Sequence, residues 1–322
     1  MPEIIDKDLL IKVLRYLNAS SGPKIIRTPI NIRKSTYDVA INILRNKGFI
    51  NKKNLLNSKG HSFLKRNGLN NLIECRYSTF GYSYAGKNGS VEDKVIEILK
   101  KRPNPNYRLD QQPLSPQLTI MRAKYIASEE NLFDKKIAFV GDYDSTNVAL
   151  SMISKNRESF VFDIDKRLLT FFRGIARKNL YKINTVYCDV FKCKSRKYYN
   201  KFDVIVTDPP YAMGGIKKFI EFSISLLKIG GVGFIAVPYH ENILWTEHIL
   251  FEVIKLLVDN NCLVTDNKKN FYYYVGADNL RSSMIRFKKI KNENPIDISK
   301  LYSYKEKNIN VPIINTHENT NE

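Results

Sequence analysis

Four acidic clusters in this chain each follow a run of β-branched or aromatic residues. They are Gly141-Asp142-Tyr143-Asp144 in "KKIAFVGDYD", Asp163 and Asp165 in "SFVFDID", Asp189 in "INTVYCDVF", and Asp208-Pro209-Pro210-Tyr211 in "KFDVIVTDPPY". In open α/β sheets the carboxyl ends of strands line the ligand crevice, so acids at such ends are placed for chemistry. The paired prolines cannot continue a strand, because they donate no hydrogen bond and fix φ. A turn capped by an aspartate explains any one of these sites. It does not explain four successive strand ends.

The types of residue narrow the ligand. The first cluster has one glycine where a dinucleotide fingerprint needs three, and carboxylates at a helix N-terminus repel a pyrophosphate. NAD, FAD and nucleotide phosphates are poor ligands for Gly141, Asp142 and Asp144, and a cation suits them. Asp163 and Asp165 are placed to accept hydrogen bonds from ribose hydroxyls, and Asp189 to accept the exocyclic amine of adenine. Together these describe adenosine joined to a positive group, as in S-adenosylmethionine or its decarboxylated form. In amine-modifying methyltransferases an Asp-Pro-Pro-Tyr motif accepts a hydrogen bond from the target amine while the aromatic ring stacks on a base. The acceptor orients the lone pair towards the electrophilic carbon. Taken alone, that motif points to N-methylation of RNA or DNA.

Elements with the right alternation exist to position these acids. Residues 135–290 read strand, helix, strand, helix, then "INTVYCDVF" and "KFDVIVTDPPY" as strands. A helix "IKKFIEFSISLLKIGG" with a glycine stop, a strand "VGFIAVPYH", a helix over 245–259 and two further strands complete the pattern. The pattern predicts an α/β fold: a Rossmann-like, methyltransferase-type parallel sheet of about seven strands with helices on both faces. Residues 1–75 place apolar residues at helical spacing over 4–17 and 35–47, with a short apolar strand between them and a third helix near Ser58. That order is expected of a winged-helix domain, which could serve as a dimer contact or bind DNA. Residues 76–134 read as a connector with β structure at "RYSTFGYSYAG", a helix at "SVEDKVIEILK", a proline-rich extended stretch and a helix with a Ser-Pro start. Residues 291–322 are polar and asparagine-rich, as expected of a disordered tail.

Composition sets the remaining bounds. There are 52 Lys and Arg against 32 Asp and Glu, a formal +20. Such a charge attracts nucleic acid and repels cationic ligands, although a compositional bias towards Lys, Asn, Ile and Tyr also accounts for it. Nucleic acid bound through this basic surface is one reading, with Lys52, Lys53, Lys59, Lys65 and Arg66 as phosphate contacts. A cationic ligand instead requires a locally acidic cleft made by Asp142, Asp144, Asp163, Asp189 and Asp208. No apolar run approaches the roughly 18 residues of a membrane span, and the start of the chain lacks signal-peptide features, so a cytoplasmic location is expected. Cys75, Cys188, Cys193 and Cys262 lack zinc-site spacing and read as buried free thiols. The expected chemistry needs no metal.

Residues 103–290 resemble the branched-chain polyamine synthases, the N4-bis(aminopropyl)spermidine synthases. The resemblance is carried by "DQQPLSP" ahead of a helix, "GDYDSTNVAL" where that family has Gly-Asp-Asp-Asp and a polar turn, "FDIDKRLLTFF", and "FDVIVTDPP". It extends to the N-terminal winged-helix module. It implies a Rossmann-like aminopropyltransferase whose co-substrate is decarboxylated S-adenosylmethionine and whose acceptor is the secondary amine of spermidine. By the same resemblance Asp144 matches the catalytic acid, with Asp208 fixing the attacking nitrogen through its side chain or the Pro209 carbonyl, and Asp110, Pro209 and Tyr211 facing the polyamine. Tyr143, in place of an acid, and Tyr211, after the prolines, depart from the family pattern. Two other readings stand beside this one: a nucleic-acid N-methyltransferase, and a non-catalytic winged-helix regulator.

Overall fold

The computed structural model describes residues 7–20, 34–67, 75–78, 81–84, 90–154, 158–179, 181–193, 196–240, 243–275 and 281–291. Helices α1 (Lys7–Ser20), α2 (Lys34–Asn46) and α3 (Ser58–Arg66) come first. They close over a core of their own, in which Leu14, Leu44 and Leu64 are almost wholly buried. An isolated antiparallel bridge joins Ile50 to Leu56, and the Asn57 side chain accepts from the Gly60 amide to start α3. The strand expected between α1 and α2, and the tail from 292, lie outside the described residues.

Strands β1 (Cys75–Ser78) and β2 (Gly81–Tyr84) pair antiparallel where β structure was expected, and β2 lies against a strand and a helix of the main sheet layer. Helix α4 (Ser90–Leu99) and the proline-rich stretch lead to α5 (Pro116–Glu129). There Ser115 accepts from the Leu118 amide, and Pro116 occupies a first-turn position where no N–H is needed.

The main sheet follows in the order of its elements: β3 (Lys136–Val140), α6 (Thr146–Ser154), β4 (Glu158–Asp163), α7 (Lys166–Asn179), β5 (Ile183–Tyr187), β6 (Phe202–Thr207), α8 (Met213–Leu226), β7 (Leu227–Pro238), α9 (Leu244–Asp259), β8 (Cys262–Tyr273) and β9 (Arg281–Lys289). Its strand order is β5-β4-β3-β6-β7-β9-β8. The first five pair in parallel, and β9 runs antiparallel between β7 and β8. Side chains alternate across it as a period of two demands. Ile137, Phe139, Val204 and Val206 pack under α5, α6 and α7, whereas Ala138, Val140 and Ile205 pack under α8 and α9. The chain runs outward from β3 to β5 and then returns to place β6 on the other side of β3. This reversal opens the crevice at the carboxyl ends. The register Val140↔Thr207 sets the ends of β3 and β6 level, and Thr207 Oγ1 donates to the Val140 carbonyl at 2.8 Å.

Three local expectations are corrected. The glycine stop is not a helix end: α8 ends at Leu226, and Gly230, with φ of +81°, lies inside β7 beside an irregularity in the β6–β7 register. The β5 strand stops at Tyr187, after which the chain turns back and the Lys192 and Cys193 amides donate to the Asp189 carbonyl. Cys188 and Cys193 are not free thiols but form a disulfide across that turn, while Cys262 is free and buried. Among the described residues no helix is long and apolar enough to cross a membrane.

One close approach in the sheet is testable. A Cβ on Gly233 of β7 would sit 2.1 Å from ring carbons of Phe287, its partner on β9. Gly233→Ala is therefore expected to cost about 1–3 kcal/mol by overpacking, read as a lower midpoint in urea denaturation. An unchanged midpoint would mean that Phe287 moves aside freely.

Candidate active site

A cleft of about 520 Å3 opens over the ends of β3, β4, β5 and β6. Six aspartates line it, Asp110, Asp142, Asp144, Asp163, Asp189 and Asp208, against two arginines, Arg108 and Arg122. The wall is therefore acidic on a chain whose formal charge is +20, which is what a cationic ligand requires.

The ends of β3, β4 and β5 form one half of the cleft. Gly141 adopts φ of +65°, and its amide donates to the Phe162 carbonyl. The chain can then turn sharply and let Asp142 cap α6, accepting from the Thr146 and Asn147 amides at 2.9 and 3.0 Å and from the Asn147 side chain. Burial pushes Asp142 up to about 7 against these donors. Asp163 accepts from the Asp165 and Asp142 amides, and burial raises it to about 6. Asp189 uses one oxygen for the Phe191 amide. Ile164, Val190, Phe191, Phe219 and Trp245 supply apolar wall between these acids.

Asp165 is not part of that wall. Its oxygens accept from Arg167 at 2.7 Å and from Gln111 at 3.2 Å. Burial works against its ionisation, yet the Arg167 and Gln111 donors outweigh it and hold the carboxyl below its ordinary value. Through Gln111 it ties the proline-rich stretch to the end of β4. That stretch makes further ties: the Tyr143 hydroxyl donates to the Pro103 carbonyl at 3.1 Å, Asp110 accepts from the Tyr211 amide at 3.1 Å, the Leu114 amide donates to Asp144 at 2.7 Å, and the Val275 amide donates to the Pro113 carbonyl. The sequence expected only an irregular connector here, and the structure makes it a strap fastened to the ends of three strands and to the residues after β8.

The other half of the cleft is organised by a residue that sequence reasoning missed. Arg122 of α5, 2% exposed, donates to Asp144 and to Asp208, both at 2.8 Å, and to the Tyr272 hydroxyl at 3.0 Å. Burial works against its charge, but Tyr272, Asp144 and Asp208 outweigh it and hold the guanidinium more firmly than an ordinary arginine. Arg102, placed over the Tyr143 ring at 4.4 Å, reaches within 3.5 Å of Asp144. Tyr272 and Tyr274, two apart and hence on one face, both donate to Asp208, at 3.1 and 2.8 Å. Tyr274 in turn meets the Tyr211 hydroxyl at 2.6 Å, and Tyr211 also bonds Ser282. Burial pushes all three phenols well above their ordinary value. The signals in the sequence were a lone arginine inside the apolar helix "LTIMRAKYI" and tyrosines alternating in "FYYYV".

The two candidate catalytic acids thus differ. Asp144 is 5% exposed, with one oxygen held by the Leu114 amide and the other by Arg122. Asp208 is 18% exposed on the cleft wall. Burial pushes its carboxyl up, against Arg122 and with Asp144. Pro209, Pro210 and Tyr211 complete the wall on this side.

Residues 90–320 match the family model described as the branched-chain polyamine synthase A C-terminal domain. An N(4)-bis(aminopropyl)spermidine synthase of Methanocaldococcus jannaschii is 32% identical over 247 residues, covering 73% of this chain and 68% of that protein. One from Thermococcus kodakarensis is 30% identical over 188 residues, 57% of this chain and 52% of that protein. The crystal structure of the Thermus thermophilus branched-chain polyamine synthase, solved with N4-aminopropylspermidine and 5'-methylthioadenosine, shares the fold. It has a TM-score of 0.58 at 16% identity, over 89% of each chain. The family model spans most of the sequence and takes in every strand end that carries an acid: this chain belongs to the branched-chain polyamine synthase family.

Proposed function

We propose that the protein is an aminopropyltransferase. It moves the aminopropyl group of decarboxylated S-adenosylmethionine to the secondary amine of spermidine or a related polyamine and releases 5'-methylthioadenosine. The observation that carries this reading is the acidic cleft, lined by six aspartates of which five stand at strand ends and Asp110 on the strap, in a family of polyamine synthases. Asp163 meets the ribose, Asp189 the adenine amine, and the apolar wall from Ile164 to Phe191 the ring. The three-helix N-terminal module remains the candidate winged-helix domain and dimer contact.

The chemistry is an in-line displacement. The nitrogen lone pair forms a bond to the propyl carbon, the carbon–sulfur bond breaks, and its electron pair returns to the positive sulfur to give a neutral thioether. Positioning supplies most of the rate in such a reaction. The nitrogen finally sheds a proton to Asp208, whose side chain reaches the cleft and whose carboxyl is raised by burial. Both oxygens of each acid accept hydrogen bonds, but Asp144 is the more buried of the two and holds Arg122 and the strap.

Nucleic-acid N-methylation is the second reading, and the setting of Tyr211 weighs against it. A stacking platform needs a ring face open to a base, whereas the Tyr211 hydroxyl is tied to Tyr274 and Ser282 and its ring meets the Tyr274 ring edge-on.

Incubation with spermidine and decarboxylated S-adenosylmethionine should yield a branched polyamine and 5'-methylthioadenosine by mass spectrometry. Methylated RNA or DNA with S-adenosylhomocysteine would favour the second reading. Asp208→Asn, which weakens the acceptor that holds the nitrogen in line and later takes its proton, should lower turnover by the ~10²-fold typical of a misplaced reacting group, with donor affinity kept.

Donor affinity carries a pH signature. Asp163 and Asp142 titrate near 6 and 7, and a sulfonium favours their ionised forms. Binding of the cationic donor should therefore tighten as pH rises through about 6 and then about 7, whereas 5'-methylthioadenosine should show a smaller change. Asp163→Asn should remove the lower step and cost roughly 1.5–3 kcal/mol of donor binding, the worth of a charged acceptor to hydroxyls. Equal pH profiles for donor and thioether in titration calorimetry would contradict this.

A further inference from the structure

The amine corner is charge-balanced before any substrate arrives. Two carboxylates, Asp144 and Asp208, face two guanidinium groups, Arg122 at 2.8 Å from both and Arg102 at 3.5 Å from Asp144. Asp142 also feels the Arg122 charge, but its oxygens are taken up by the first amides of α6, whose positive helix end offsets it. Arg108 and Asp110, both exposed on the strap, add one charge of each sign. Tyr211, Tyr272 and Tyr274 close the corner from β6 and β8 and stay protonated, so they add no charge. Tyr143 matters here too: where a third carboxylate would make the corner negative, an aromatic ring instead seats the Arg102 guanidinium.

A secondary ammonium entering this corner brings a charge that nothing cancels, into a site where Asp144 and Arg122 are almost wholly out of water. Burying an unpaired charge is costly, and an amine escapes the cost by releasing its proton. We propose that the corner binds the acceptor nitrogen as the uncharged free base, with Arg102 and Arg122 as the positioning residues that set this preference. The remaining acids of the cleft are left to attract the donor's sulfonium and the terminal ammonium groups of the polyamine. The proton ledger closes in two steps. The ammonium proton goes to solvent on binding, which frees the lone pair. After displacement the new tertiary ammonium passes its remaining proton to Asp208.

This inference rests on the aminopropyltransferase reading, and one experiment separates the two. Spermidine is titrated into the full chain saturated with 5'-methylthioadenosine, at pH 8.5, in buffers of different ionisation enthalpy, so that calorimetry counts the protons released. At this pH Asp142 and Asp163 are already ionised, while the secondary amine of spermidine, held below the ~10 of a simple alkyl amine by its two ammonium neighbours, still carries part of a proton, a fraction measured in buffer alongside. The expected result is release, per spermidine bound, of the whole of that fraction. In Arg102→Gln, which removes the more peripheral of the two guanidinium groups, the release should fall towards zero. Its pH midpoint for kcat should rise by about one unit, a tenfold change in amine basicity, while KM for spermidine falls. A parent that forms branched polyamine but releases no proton on binding spermidine overturns the inference and leaves the reaction intact. Equal release by the parent and Arg102→Gln overturns the role of the arginines, and a parent that neither binds spermidine nor forms product overturns both proposals. Should Arg102→Gln fail to fold, the proton count of the parent still decides.

Discussion

The site depends on one buried guanidinium. Arg122 bridges Asp144 at the end of β3 and Asp208 at the end of β6, while its Tyr272 contact ties α5 to β8. Each of these groups alone would be costly to bury, since an unpaired charge in the interior is strongly destabilising. Removing the arginine would leave two carboxylates facing each other at the topological switch point. The same bonds that satisfy it fix the spacing between two strand ends, so the crevice that the sheet opens is also held at a set width.

Around this clamp the strap from Pro103 to Ser115 does a second job. Its ties to Asp165, Tyr211 and Asp144 come from Gln111, Asp110 and the Leu114 amide. Prolines deny this stretch a helix or a strand, which leaves its backbone and side chains free to reach the strand ends. An acid that the sequence offers as a ligand group can therefore also fasten the chain: Asp165 accepts from Gln111, and Asp144 from the Leu114 amide.

Much of the arrangement was legible in the sequence. Short, nearly continuous apolar runs ending in acids marked β3, β4 and β6, and the acids Asp142, Asp144, Asp163, Asp189 and Asp208 do meet in one cleft. Such legibility follows from topology, because parallel strands deliver their ends to one edge. The unreadable parts depend on long-range pairing. Nothing local reveals that Arg122 faces two acids 22 and 86 residues away. Nor does anything local show that the "NFYYYV" tyrosines turn towards Asp208, or that Cys188 meets Cys193 across a turn. Gly230 misled for a different reason: a glycine after a helical run reads as a stop, and here the positive φ serves an irregular strand instead.

The apparent conflict between a strongly basic chain and cationic substrates dissolves at the scale of the cleft. Charge acts locally where walls are buried and mutual distances are a few ångströms. The central claim is that strand-end acids divide this cleft into an adenosine half and an amine half. A crystal structure of the protein with 5'-methylthioadenosine and spermidine tests it most directly. The account predicts ribose hydroxyls on Asp163, the adenine amine at Asp189, and the secondary nitrogen of spermidine within hydrogen-bond reach of Asp208 in line with the thioether sulfur. Adenosine bound away from Asp163 and Asp189, or a polyamine whose secondary nitrogen lies remote from Asp208, would contradict it.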